Sequence, residues 1–413
     1  MRRRLSIVVS FILFIAIFSI GAQTPLIEVT GKVKNSKTKK ALANAEVSIP
    51  YTNVGTVTNA DGYFSLKFPV DKLSHGIKVD LIGYEGLTLP IPSDKSHQKN
   101  LTVFLKQSGK VLDEVLVLGG DPREIVIKAI EKIPDNYSSN TDLFQGFYRE
   151  TVQKGNRYIS VSEAMVDLLK RPYSRRDVRG EKVSIYKGRR LISPNNSDTL
   201  AIKLMDGPLL PINFDAVKNG DHLFSKDEID YFEFTMLPPT IIDQRTHYSI
   251  GFKPRVNLSY PLHKGVFYID TESLTISRVE FELDVKDKVK ATRAILQKKP
   301  GGLNFRPLEV SGVVTYKTLE GKSQINYIAT KIRFKCDWKK RLFSSAYTSL
   351  AEMVIVDRKD TPKEKTKFVE TFGKRKIFSD MVENYWEPDF WKDYNIIEPS
   401  ESLENAVKKL KKR

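Results

Sequence analysis

The chain has 413 residues, 67 Lys and Arg against 50 Asp and Glu, a formal charge of +17 and one cysteine. That length allows two or three domains, each able to bury its own core, and one thiol excludes an internal disulfide. The basic excess is spread along the chain with no reader motif, which argues against nucleic acid; acidic lipid headgroups or acidic polysaccharide suit it better.

Residues 1–22 read as a secretory signal peptide: Arg2, Arg3 and Arg4, an apolar run over 5–20, then Gly21-Ala22. An uncleaved anchor is the alternative. No Cys follows the run, so lipid attachment at an N-terminal Cys is excluded, and no other apolar stretch approaches a helical membrane span. Residues 31–90 alternate β-branched or aromatic with polar residues. Asp61-Gly62 predicts a tight hairpin that pairs 55–58 with 63–68.

Gly31-Lys-Val33, Ala41-Leu-Ala-Asn-Ala45, Val47, Gly55-Thr56, Asp61-Gly-Tyr-Phe64 and Ile82-Gly-Tyr84, taken in order, resemble the carboxypeptidase-regulatory-like domain over 27–105. The resemblance implies a seven-stranded prealbumin-like β-sandwich (23–107) that accompanies other domains, is not itself catalytic, and is abundant in envelope proteins of Bacteroidota. Pro50-Tyr51 departs from the usual Gly-Thr, which bears on one turn and not on the fold. More loosely, the chain is similar to secreted Bacteroidota proteins that place this domain before a β-rich region.

Residues 108–120 resemble the extended run that follows the same domain in TonB-dependent receptors, but no plug domain follows and too few residues remain for a transport barrel. The segment 111–118 reads as a linker strand; the sharper alternative is β-augmentation by a partner through Val115 and Val117. Asp121-Pro122-Arg123-Glu124 then predicts a capped helix, with Glu124 reaching back in a capping box, a stripe of Val126, Ala129, Ile130 and Ile133, and a stop at Pro134.

From Leu143 the period shifts towards two. Strands are expected at 143–154 and 157–169 around a Gly155-Asn156 turn, at 231–237, 246–253, 265–270, 274–283, 305–316, 323–338 and 349–357; residues 171–220 read as irregular. Consecutive hairpins imply one antiparallel, strongly curved sheet or half-barrel over 121–375, with few helices. The fold class is mainly β. Residues 376–413 change character: helix at 377–385, an aromatic segment, and an amphipathic helix at 401–410 capped by Ser400. Trp386, Phe390, Trp391 and Tyr394 are either a glycan or partner platform or, the favoured reading, a pin that docks the terminus on the sheet.

No catalytic constellation emerges. His75, His97, His222, His247 and His263 are isolated, and there is no Gly-x-Ser-x-Gly elbow; the Gly321-Lys322-Ser323 likeness to a phosphate loop lacks its first Gly. Glu280, Glu282 and Asp284 alternate with Val279, Phe281 and Leu283 as the wet face of a strand does. Cys336 alternates with Ile332, Phe334 and Trp338, which predicts a buried, inert thiol. No catalytic residue, metal or cofactor is expected. The leading expectation is a non-enzymatic interaction or scaffold protein, exported to the periplasm or outer membrane, whose partners are envelope proteins, lipid or glycan. The alternative is a carrier of an apolar ligand, since residues 266–281 resemble the hairpins of periplasmic lipoprotein-carrier half-barrels. An empty apolar groove favours carriage; a groove filled by side chains favours scaffolding.

Overall fold

A computed structural model describes residues 25–91, 97–108, 119–178, 180–193, 203–204, 210–219, 226–338, 344–359, 378–386 and 394–411. No helix among them is long and apolar enough to cross a membrane.

Seven strands build the N-terminal sandwich: β1 (Leu26–Asn35), β2 (Glu46–Ser48), β3 (Gly55–Val57), β4 (Tyr63–Pro69), β5 (Ile77–Asp80), β6 (Leu87–Leu89) and β7 (His97–Leu105). They form sheets ordered β4-β1-β7 and β3-β2-β5-β6, with β1 antiparallel to β4 and parallel to β7. Alternate residues point inward and close the core: Val29, Val33, Val47, Phe64, Leu66, Phe68, Val79 and Val103 are buried. Each contributes about 1.5–3 kcal/mol relative to exposure.

The hairpin expected at Asp61-Gly62 is not there. Strand β3 pairs with β2 in one sheet and β4 with β1 in the other, so this turn carries the chain between sheets. Gly62 does adopt the left-handed angle (φ 72°). However, the Asn59 side chain accepts from the amides of Asp61 and Tyr63, both at 2.9 Å, and arches the backbone over four residues. An arch of that width separates its strands where a two-residue loop would have paired them. At Pro50-Tyr51, Tyr51 is left-handed (φ 62°) and 89% exposed.

The second region is one ten-stranded, wholly antiparallel curved sheet. Its strands are β8 (Asp142–Lys154), β9 (Arg157–Lys170), β10 (Lys182–Ile192), β12 (Phe232–Ile242), β13 (Arg245–Pro254), β14 (His263–Asp270), β15 (Ile276–Leu283), β17 (Leu303–Leu319), β18 (Lys322–Trp338) and β19 (Ser345–Lys359). The order is β10-β9-β8-β19-β18-β17-β15-β14-β13-β12; the short β11 (Lys203–Leu204) and β16 (Leu296–Lys298) pair separately. Hairpins fall where expected at Gly155-Asn156, Thr271–Ser273 and Glu320-Gly321, except that the second turn also takes in Leu274 (φ 58°) and Thr275, which were expected to open the next strand. Strand β10 falls within the stretch read as irregular. Its bulge between Ile185 and Lys187 breaks the alternation that would have betrayed it.

Helix α1 (Pro122–Glu131) lies on one face of this sheet and buries Ile125, Val126, Ala129 and Ile130 against Phe144, Val166, Ile250, Phe267, Val279 and Met353. Asp121 caps it by accepting from Arg123 N at 2.9 Å, whereas Glu124 meets the Arg123 guanidinium instead of closing a box. Pro134 does not end the helical path but opens a second short helix, α2 (Ile133–Asn136). Farther along, α3 (Lys288–Ile295) covers the extended ends of β17 and β18, where Cys336 is buried with Ile332 and Phe334. Burial pushes the Cys336 thiol up to about 11. The Trp338 side chain and the segment 111–118 lie outside the described residues.

Both sheet edges are blunted. α4 (Phe378–Met381) and the 3₁₀ turn Val382–Tyr385 run along β10, with Trp386 bridging Gly188, while β12 is interrupted at Pro238-Pro239. α5 (Glu401–Lys411) is capped as expected by Ser400 Oγ, which accepts from Leu403 N.

Candidate binding surface

Cross-strand neighbours share a face, so register identifies what each face presents. Opposite the face that carries α1, one row runs Val266, Glu280, Val313, Ala329, Glu352, Arg149, Glu163, Arg189. The row beside it runs Lys264, Glu282, Ser311, Lys331, Leu350, Thr151, Val161. These rows divide into two zones. One is covered by the sandwich; the other is open.

The covered zone is a buried charge ladder. Glu163 receives Arg149 Nε at 2.7 Å and Arg189 Nε at 2.5 Å. Burial opposes its ionisation, but the two guanidiniums hold its carboxyl below the usual range. Arg149 Nη2 also donates to Ile397 O at 2.6 Å, in an extended strap over 394–400. The strap is stitched to the sandwich: Thr56 Oγ1 donates to Ile396 O, Asn59 Nδ2 to Pro399 O, and the Asn395 amide bonds both ways with the Lys67 backbone. Val57, Phe147, Met165, Tyr327, Val354, Ile396 and Ile397 pack together beneath.

The open zone is a trough of about 560 Å³. Half-buried Val266, Val313, Ala329 and Leu350 make its floor. Its rim is charged but paired: Lys264 with Glu282 (3.3 Å), Arg278 with Glu280 (2.8 Å), Lys331 with Glu309 (3.0 Å) and Lys253 with Glu233 (3.2 Å). Exposed pairs of this kind contribute about 0–1 kcal/mol each, so a partner can exchange them cheaply while the apolar floor supplies the gain. Glu280 and Glu282, expected as a wet face, are this rim.

A second cluster has the composition of a catalytic site and lies at the strand ends near α2. Lys170 Nζ sits 3.0 Å from Glu181 and 2.7 Å from Asp215; Lys218 Nζ donates to Pro172 O at 2.7 Å. Tyr173 and Tyr316 donate to Asp215 at 3.2 and 2.7 Å, and Tyr137 donates to Ile276 O. Burial opposes the charge on Lys170, but Asp215 and Glu181 hold its ammonium above the usual range. All four charged side chains are at most 1% exposed. The cluster therefore pins the residues around Pro172-Tyr173, Glu181 and the 212–219 segment to the sheet rather than meeting a substrate. Sequence reasoning missed it, because three of its four charges fall in the stretch read as irregular.

Among the described residues no group of three His, Cys, Asp or Glu is disposed to hold a metal. His247 is engaged by Ser277 Oγ (2.8 Å), and His263 packs on Phe281. Of the candidate partner-binding residues, Val115, Val117, Phe390 and Trp391 lie outside the described residues. Trp386 is 52% exposed beside β10. Tyr394 is half-buried against Tyr186 and under Lys187, and its carbonyl accepts from Lys67 Nζ. These two are not brought together with the trough.

The family model of the CarboxypepD_reg-like domain matches residues 29–117. A search of curated proteins finds no match. Among solved structures the chain is similar to a DUF1329 family protein from Desulfovibrio piger, at 10% identity over 57% of this chain and 94% of that one, TM-score 0.23. It is similar to a putative outer membrane lipoprotein-sorting protein domain from Vibrio parahaemolyticus, at 12% over 60% and 95%, TM-score 0.25. A LolA superfamily protein from Nitrosomonas europaea matches at 13% over 57% and 94%, TM-score 0.19. Likenesses this weak say nothing about what this chain binds.

Proposed function

We propose that this chain is a non-enzymatic cell-envelope protein, exported by its N-terminal segment, that binds a partner protein on the open trough of its large sheet. The observation that carries the reading is how the sheet's two faces are used. On one, α1, Phe378 and Val382 fill the space a ligand would need. On the other, the sandwich and strap cover the charge ladder and leave Val266, Val313, Ala329 and Leu350 open. The CarboxypepD_reg-like domain and the signal-like residues 1–22 support the envelope assignment.

A shallow floor with an alternating Lys and Glu rim fits a few apolar side chains flanked by charges of both signs. An acyl chain laid there would stay largely in contact with water, losing most of the gain from burial. The charged cluster at Lys170 is sealed, so it offers no reactive group to a substrate.

The test is photocrosslinking in intact cells from a probe at Val313 and, as a control, at exposed Asp71. A discrete protein adduct from Val313 alone, lost in Leu350→Glu, supports the reading. Copurifying acyl lipid lost in the same variant replaces it with carriage. Hydrolysis of peptide or glycan abolished by one carboxylate substitution overturns both.

A further inference from the structure

Antiparallel topology sends the loops of the large sheet to two ends. At the end of the β12–β13 and β17–β18 turns the sandwich makes its contacts: Lys78 pairs with Asp243, Glu46 with Lys317, and Asn326 donates to Glu46. The other end gathers the β13–β14 loop, α3 with its flanks and the start of β17, and among the described residues no hydrogen bond or ion pair joins it to the sandwich.

That end is strongly cationic. From Asp284 to Arg306 there are seven basic residues (Lys286, Lys288, Lys290, Arg293, Lys298, Lys299 and Arg306) against two acids. Both acids are occupied locally: Asp284 accepts from Lys286 N at 2.9 Å, and Asp287 caps α3 by accepting from Val289 N and Lys290 N. Ala291 and Ile295 turn inward on Leu283, Leu303 and Phe305. The outer side carries exposed Lys286, Lys288, Arg293 and Lys298; Arg293 acts on Asp287 through the field alone, and none of the four closes a salt bridge among the described residues. Among them stands Val289, 61% exposed, and the neighbouring loop presents Tyr260, 47% exposed. Lys290 Nζ locks that loop to α3, donating to Asn257 Oδ1 at 2.8 Å and to Leu258 O.

We propose that this end is a docking surface for an anionic lipid bilayer, with the cations on headgroups and Val289 and Tyr260 in the interfacial layer. Charge complementarity selects an acidic partner. The projecting valine and tyrosine then select lipid over an acidic polymer, because cations alone serve a polymer, whereas an exposed aliphatic tip gains only from an apolar phase. Cations held in no salt bridge also reach headgroups without first breaking one. This surface is independent of the trough, and the two stand or fall separately.

The experiment is vesicle flotation of the protein purified after export, with phosphatidylcholine vesicles that contain or lack phosphatidylglycerol. Binding is expected only with phosphatidylglycerol and should weaken with salt. The variant Lys288→Glu/Arg293→Glu/Lys298→Glu should lose at least about 30-fold in affinity, given a surface attraction on each cation. Val289→Ser keeps every charge and should weaken binding about threefold. Both variants change exposed side chains, and unchanged melting curves verify that they fold. Equal binding to both vesicle types overturns the proposal. So does binding insensitive to Val289→Ser, which would assign the patch to an acidic polymer.

Discussion

Asp80 lies where the sandwich meets the tip of the β12–β13 hairpin. Burial, with Asp243 and Glu46 nearby, pushes its carboxyl from an ordinary 3.8 up to about 7, against the opposing pull of Lys78. Asp243 N donates to Oδ2 at 3.2 Å, while Oδ1 has no hydrogen-bond partner among the described residues. A raised folded-state value means the folded protein holds the proton more tightly between those two pH values. Stability is therefore highest at and below the lower value, declines as pH rises towards about 7, and is level above it. Asp80→Asn removes that decline. Its melting midpoint should match the parent at pH near 4 and exceed it by about 3 °C at pH 8; an unchanged difference across that range would refute the assignment. Nothing in the local sequence announces Asp80, since its acidic neighbours arrive from residues 46 and 243.

Among elements, the sheet owes a row of aromatic and glycine neighbours to exact pairing: Phe252, Gly265, Phe281 and Gly312 lie side by side on β13, β14, β15 and β17. A Cβ on Gly265 would stand 1.9 Å from Glu280 O and 2.8 Å from Phe252; on Gly312 it would stand 2.4 Å from Phe281. The phenyl rings thus lie over bare backbone, a packing that needs glycine. Gly265→Ala should destabilise the protein by about 2–3 kcal/mol, read as a fall in the urea midpoint. Most strands here were legible, because β-branched alternation and the Gly155, Thr271–Leu274 and Gly321 turns are local signals. The Asp61-Gly62 turn was misread for a physical reason. Its geometry is set by the Asn59 side chain, and a Gly with positive φ serves an arch between sheets as well as a hairpin. Strand β10 was hidden by its bulge; the charged cluster around Lys170 was hidden separately, because Glu181, Asp215 and Lys218 come from loops that meet only in the fold.

For the whole molecule, the seat of the sandwich is the decisive feature. A strap from the C-terminal region lies between it and the sheet, and Asn395 exchanges two hydrogen bonds with Lys67, at 2.7 and 2.8 Å. Asn395→Ala leaves two backbone groups in a half-buried seam without partners. It should cost about 1–3 kcal/mol and raise amide exchange at Lys67 well above that in the sandwich interior. Exchange unchanged at Lys67 would mean the seam is held by the apolar contacts alone.

Residue order by itself determined the mainly β class, the sandwich, the caps at Asp121 and Ser400 and the buried thiol, because caps, turns and alternation act within a few residues. Tertiary structure alone decided which face of the large sheet is filled, that Glu163 meets both Arg149 and Arg189, and that residues 394–400 join the two regions. Alternation says that a side chain points to one face or the other, but many partners satisfy the same period; only long-range packing selects among them.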